Sequence, residues 1–133
     1  MNSGLELHDS TLTGLSEQGG TITVALRPGY VHKSEGEPGK SNGTGWTLDL
    51  DLQFSDGTRV GPLTFPVGIS GGSLRVGEST YQNVIPLPLP AGTAELTLVL
   101  EDGREVVVRG SGVVAESRGE PRYIEKFVGS RRG

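Results

Sequence analysis

Hydrophobic and polar positions alternate with period two along most of this chain, and nowhere do apolar residues recur at helical spacing over a helix-length window. The alternation is cleanest from Trp46 onward: Trp46, Leu48, Leu50, Leu52 and Phe54 take one face, and Thr47, Asp49, Asp51 and Gln53 take the other, which reads as wet. Leu5 and Leu7 flank Glu6 in the same manner. Leu12, Ile22, Val24 and Leu26 alternate with threonines across a Glu17-Gln18-Gly19-Gly20 turn, which predicts strands joined by a hairpin. The inward residues are odd-numbered up to Leu7 and even-numbered from Leu12. One residue of phase is therefore lost between them, and the pattern places a bulge or sharp bend at His8-Asp9-Ser10.

Ser55-Asp56-Gly57 and Glu101-Asp102-Gly103 look like two copies of one device, a three-residue hairpin loop whose last residue is left-handed. That register sets Leu52 against Val60 and Leu98 against Val106, apolar against apolar in both. Pro28-Gly29 is expected to stop the second strand by removing a donor and allowing positive φ. Pro62, Pro66, Gly68, Gly71 and Gly72 interrupt any long strand, leaving Ser73 to Val76 as a short one. Prolines at 86, 88 and 90 confine the extended Tyr81 to Leu89 stretch to an edge. Val106 to Ala115 reads as one long strand that Gly110 and Gly112 bend from one sheet into another. Ile124 and Phe127 are expected to tack the C-terminal segment onto the core.

The expected fold is all-β: an antiparallel sandwich, jelly-roll-like, or a flattened barrel, with roughly eight to ten strands and little or no helix. A single β domain would span 1–128, followed by a flexible basic tail at 129–133 that carries Arg131-Arg132. The chain has 133 residues, of which 22 are glycine and 8 proline, and one third are hydrophobic, a turn-heavy composition without the apolar depletion of a disordered protein. It has no cysteine, so disulfides and thiolate metal sites are excluded. A formal charge of −4, spread along the chain, argues against a binder of nucleic-acid backbones. The N-terminal residues MNSGLELHDSTL offer neither a basic leader nor an apolar anchor, so no membrane segment is read there and a cytoplasmic location is the expectation.

Candidate chemistry gathers at the stretch from Arg27 to Trp46, the longest without apolar periodicity and so the expected projecting loop. Ser34 to Ser41, SEGEPGKS, comes within one residue of a phosphate-binding loop, but no helix pattern follows to supply the N–H groups such a loop needs. Only two histidines are present. A straight hairpin would hold His8 and His32 roughly 14 Å apart at ~3.4 Å per residue, whereas a reversal at Pro28-Gly29 would bring them together with Asp9, Ser10, Ser34, Glu35 and Glu37 close by. Such a group suits a His/carboxylate metal site or a base beside a nucleophilic serine. It has neither His-x-x-x-His spacing nor a Gly-x-Ser-x-Gly elbow. The structural alternative is that Asp9 and Ser10 tie down the bend through side chain to backbone hydrogen bonds, with His8 half-buried beside them. Asp49, Asp51 and Asp56 suit calcium on paper, and equally suit a solvated strand face that discourages edge pairing. Trp46 and Tyr30 would serve a carbohydrate-binding module if exposed, but the parity of Trp46 with Leu48 points it inward, its indole N–H bonded to the loop. Arg122 is expected to fork onto a carboxylate such as Asp9 or Glu120, or to grip an anionic ligand.

The segments Leu5-Glu6-Leu7-His8-Asp9-Ser10-Thr11-Leu12, Tyr30 to Gly36, Gly43 to Trp46 and Gly119 to Tyr123 together resemble a set of small bacterial all-β proteins with an L-x-L-H-D-S-x-L start and a G-E-P-R-Y end. The resemblance brings no established activity, cofactor or catalytic residue with it. The opening His-Asp-Ser pattern alone is similar to the start of some immunity proteins of bacterial toxin systems, which points toward a partner-binding role. The leading expectation is thus a non-enzymatic module for a protein partner, with a homodimer also in view, in which Tyr30, His32, Ser34, Glu35, Trp46 and Arg122 are the ligand-binding candidates. The alternatives are a small hydrolase or metal-dependent enzyme using His8, Asp9 and His32, and the carbohydrate-binding module. No cofactor is read from the sequence.

Overall fold

A computed structural model describes residues 2–60 and 65–128. Among them there are twelve strands and no helix: β1 (Asn2–Glu6), β2 (Thr11–Gln18), β3 (Thr21–Ser34), β4 (Gly43–Ser55), β5 (Thr58–Val60), β6 (Val67–Val76), β7 (Ser79–Gln82), β8 (Val84–Leu87), β9 (Ala94–Leu100), β10 (Glu105–Gly110), β11 (Gly112–Ser117) and β12 (Arg122–Phe127). The count exceeds the expected eight to ten because turn-rich stretches still pair in short pieces, β5, β7 and β8 having three or four residues each. Among the described residues no helix is long and apolar enough to cross a membrane. Pro62 and the 129–133 tail lie outside the described residues.

All pairs are antiparallel, and the ladder is not closed into a barrel. One layer carries β3 at its centre, with β4 on one side and β1 and β2 end to end on the other; β8 lies beyond β1, and β11 and β12 lie end to end beyond β4. The second layer runs β7-β6-β9-β10-β5, and two residue pairs between β2 and β6 join it to the first. Leu50, Leu52 and Phe54 of β4, Leu96, Leu98 and Leu100 of β9, and Leu5, Leu7, Leu12, Ile22, Val24 and Leu26 all lie within one buried cluster.

The phase slip expected at His8-Asp9-Ser10 is there. Asp9 has φ 76, β1 and β2 both pair with β3, and the bend between them leaves Leu5, Leu7 and Leu12 fully buried. Ser10 pins it: its hydroxyl donates to the Glu6 carbonyl at 2.7 Å and accepts the Tyr30 amide at 3.0 Å, while its own carbonyl accepts the Ile69 amide at 3.1 Å. Strand β3 slips at the matching level. Pro28-Gly29 does not end that strand but shifts its register against β4, so Leu26 pairs with Leu50 and Gly29 with Leu48, and Val31 returns to the core. A one-residue bulge is how a strand absorbs a proline and stays in its sheet. The expected 27–46 loop therefore shrinks to residues 35–42.

The two Asp-Gly turns part company. Glu101-Asp102-Gly103 is the expected hairpin: Gly103 has φ 88, and Leu98 pairs with Val106. Ser55-Asp56-Gly57 is not a hairpin, because β5 leaves the first layer and pairs with β10, Val60 opposite Val107. Leu52 instead lies between Val24 and Ala115. The left-handed residue is Asp56, at φ 48. Gly57 is glycine for another reason, since a Cβ there would meet the Ile22 side chain at 2.9 Å. Gly110 and Gly112 do bracket the change of layer, from β10 to β11. Strand β6 is longer than expected because Gly71 and Gly72 are absorbed within it beside a register shift after Ile69. Pro86 of β8 sits on an edge strand that pairs only with β1, and Pro88 and Pro90 lie beyond its end. Ile124 does not reach the core; it is 49 % exposed, at a register shift in β12.

Candidate functional site

Two rows of directly opposed residues cross the first layer through the middle and the end of β1. Glu6, Tyr30, Thr47 and Arg122 form one row across β1, β3, β4 and β12, and Gly4, His32, Gly45 and Glu125 form the next. Opposed residues share a face, so Glu6, Tyr30, His32 and Glu125 stand together on the outside of the layer. His8, two residues past Glu6, joins them. Nε2 of His32 contacts Glu6 Oε1, and Nδ1 of His8 lies 3.4 Å from Glu6 Oε2 and 3.3 Å from Asp9 Oδ1. The two histidines thus come within reach of one carboxylate without any chain reversal at Pro28-Gly29, and Glu6 bridges them.

The members of this group differ sharply in exposure. His32 is buried, at 2 %, its ring edge-on to Tyr30 and to Phe127 with centroids 5.1 and 4.6 Å away. Among the described residues its Nδ1 has no hydrogen-bond partner. An N–H left unpaired in a dry site costs about 1–3 kcal/mol, so the proton belongs on Nε2, where it is donated to Glu6. The Tyr30 hydroxyl donates to Glu125 Oε2 at 2.5 Å. Burial first, then this carboxylate and the charges of Glu6 and Asp9, push the phenol's pKa well above its ordinary value. Gly45 makes the contact feasible, because a Cβ there would lie 2.0 Å from the Tyr30 oxygen. His8 and Asp9 are more than half exposed, so the bend is tied down by Ser10, without a half-buried His8.

The acids expected on a wet face of β4 do not behave alike. Asp51 is 4 % exposed and lies between two guanidiniums, Arg27 Nη2 at 2.9 Å and Arg118 Nε at 2.8 Å. Bonding to Asp51 and the charge of Glu116 raise the pKa of Arg118. Asp56 accepts the Ser111 hydroxyl, so Asp51 and Asp56 have separate partners. Beside Asp51 opens a cleft of ≈ 370 Å³ lined by Arg27, Arg118, Arg122, Asp49 and Glu120. Arg122 therefore faces this cleft, whereas the ion-pair partner of Asp9 is His8.

The 35–42 loop closes on itself. Ser34 Oγ, buried, donates to the Asn42 carbonyl and accepts the Gly36 amide; the Glu37 carbonyl accepts the Lys40 and Ser41 amides, and Ser41 Oγ accepts the Glu37 amide. Four amides that a phosphate would need are thereby engaged. Glu35 is exposed on this loop. Trp46 is half-buried, edge-on to Tyr123 at 5.4 Å with the Lys33 ammonium 4.5 Å above its ring, and its indole N–H goes to Thr44 Oγ1 within β4. Any ring stacking on Trp46 would have to displace that ammonium.

Across from the loop, β7 and β8 form the other wall of an open groove of ≈ 950 Å³, whose surface includes Pro38, Tyr81, Val84, Pro86, Leu87 and Pro88. Comparisons of the chain with protein-family models, with curated proteins and with solved structures find no match. Two parts of the site went unseen in the sequence. Glu6 has no motif of its own, only an alternation with Leu5 and Leu7 whose parity sets it on one face with His8. The Arg27-Asp51-Arg118 clamp had no local signal, since its members are 24 and 67 residues apart.

Proposed function

We propose that this domain is a binding module that takes an extended segment of a protein partner into the groove between the 35–42 loop and strands β7–β8. The observation that carries this reading is the groove itself, ≈ 950 Å³ and walled by prolines and Tyr81. Grooves that accept extended peptides use such rigid apolar walls, since little side-chain entropy is lost on contact. The loop's internal hydrogen bonds hold its wall in shape before any ligand arrives. Strand β8 adds an edge that only β1 occupies.

Peptides selected from a random phage library on the immobilised domain provide the test. Synthetic versions should lose at least tenfold in affinity on Tyr81→Ala and on Thr80→Trp, which fills the groove, and keep it on Glu116→Ala in β11. Equal binding to all three variants would sink the reading, as would a library that yields no competing peptides.

A second reading, self-association along β11 and β12, is favoured by one observation. Val114, Tyr123, Ile124 and Val128 are four of the five exposed large hydrophobics among the described residues, and all lie along that edge. It predicts a dimer by light scattering that Ile124→Lys abolishes; a monomer at every concentration removes it.

A further inference from the structure

We propose that Glu6, His8 and Asp9 bind a divalent cation of the zinc type, with buried His32 holding Glu6 in position. One ligand atom from each of the three residues lies within 4.8 Å of the other two. Ligands about 2.0–2.1 Å from a tetrahedral zinc ion stand about 3.3–3.4 Å apart. His8 Nδ1 lies 3.4 Å from Glu6 Oε2 and 3.3 Å from Asp9 Oδ1, so two edges of such a tetrahedron are already set. The third edge joins the two carboxylates, and Asp9, more than half exposed, has the rotamer freedom to close it.

His32 supplies an independent observation. It is a polar ring 2 % exposed whose Nε2 is aimed at Glu6 of the cluster, while its other nitrogen, Nδ1, has no hydrogen-bond partner among the described residues. Tyr30 and Phe127 hold the ring on both sides. A metal-binding carboxylate steadied by a hydrogen bond from a fixed donor is the usual outer-shell arrangement, and removing such a donor costs 10–100-fold in affinity. The local charge points the same way. Among the described residues, Glu6 and Asp9 have only imidazoles within ion-pair distance, while Glu125 adds a third carboxylate on the far side of Tyr30. Asp9 at φ 76 sets the bend that puts its carboxylate beside His8. The exposed side of the cluster leaves the fourth position to water or to a donor from a ligand, the pattern of an open zinc site.

The test is zinc binding by untagged, chelator-stripped protein, followed by calorimetry and by metal analysis after dialysis. One zinc per chain is expected, weakened at least tenfold by His8→Ala and by Asp9→Asn, and 10–100-fold by His32→Gln. Cobalt in place of zinc should show the visible absorption of a tetrahedral ion, and His8→Ala should remove it. Absence of stoichiometric zinc at micromolar concentrations overturns the proposal, and so does unchanged affinity in His8→Ala. Should His32→Gln fail to fold, the two variants at exposed side chains decide. Peptide binding in the groove is measured separately, so either proposal can fail alone.

Discussion

At Asp51 the outer face of β4 is almost as dry as the inner face, and it is made so by different means. On the inner face Leu50 and Leu52 are 2 and 1 % exposed; on the outer face Asp51 is 4 % exposed. Inner burial follows from alternation, since every second residue meets the opposite layer. Outer burial at Asp51 comes from two arginines, one on β3 and one just past β11, closing over the carboxylate. His32 repeats the theme under Tyr30 and Phe127. Apolar packing tolerates the loss of a neighbour in proportion to the volume lost, whereas a buried charge depends on every partner being in place.

Substitutions on the two faces test that contrast. Phe54→Ala on the inner face should cost most, about 3–5 kcal/mol, because the side chain is fully buried and the cavity cannot be filled from solvent. Urea unfolding would read it as a lower midpoint at unchanged slope. Asp51→Ala should cost about 2 kcal/mol, below the 3–5 typical of a broken buried pair, because the Arg27 and Arg118 side chains are 34 and 46 % exposed and water can reach them. A cost under about 0.5 kcal/mol, the level of a surface pair, would erase the claim that the outer face is a second structured layer.

The smallest effect appears only in alkali. The folded state raises the Tyr30 pKa, so its contribution is fully present below the ordinary phenol value, about 10, and is lost as pH rises beyond it. Stability of the native protein should therefore fall between pH 10 and 11.5 more steeply than that of Tyr30→Phe. Parallel curves for the two would mean that the Tyr30-Glu125 bond contributes nothing.

The contrast also explains how much could be read in advance. The inner face was legible: the parity change at His8-Asp9-Ser10, the Leu98-Val106 register and the layer change at Gly110-Gly112 all follow from side-chain period alone. The 55–57 turn was misread because Asp-Gly serves a hairpin and a crossover equally well. What separates Gly57 from Gly103 is the nearness of Ile22, a contact formed only once the layers meet. Pro28-Gly29 was misread because a proline is a stop only if the strand has no room to bulge. The outer-face clusters were illegible in part for a similar reason. Glu6 and His8 shared a parity that could have been used, but nothing near Asp51 in the chain announces Arg118.

Two of the places where the chain passes between layers, after β4 and after β10, lie side by side. The Ser111 amide bonds the Ser55 carbonyl at 2.8 Å, and the Ser111 hydroxyl reaches Asp56 at 2.9 Å. They sit at one end of β4, while the 35–42 loop meets its other end twelve residues away, about 40 Å at strand spacing. The chain also crosses at the other end of β4, since β8 ends with Leu87 opposite Ser3, in the row of Lys33 and Thr44, before the chain passes to β9 in the second layer. With the two layers laced by the chain near both ends of that strand, neither end is free to swing open on the other like a hinge.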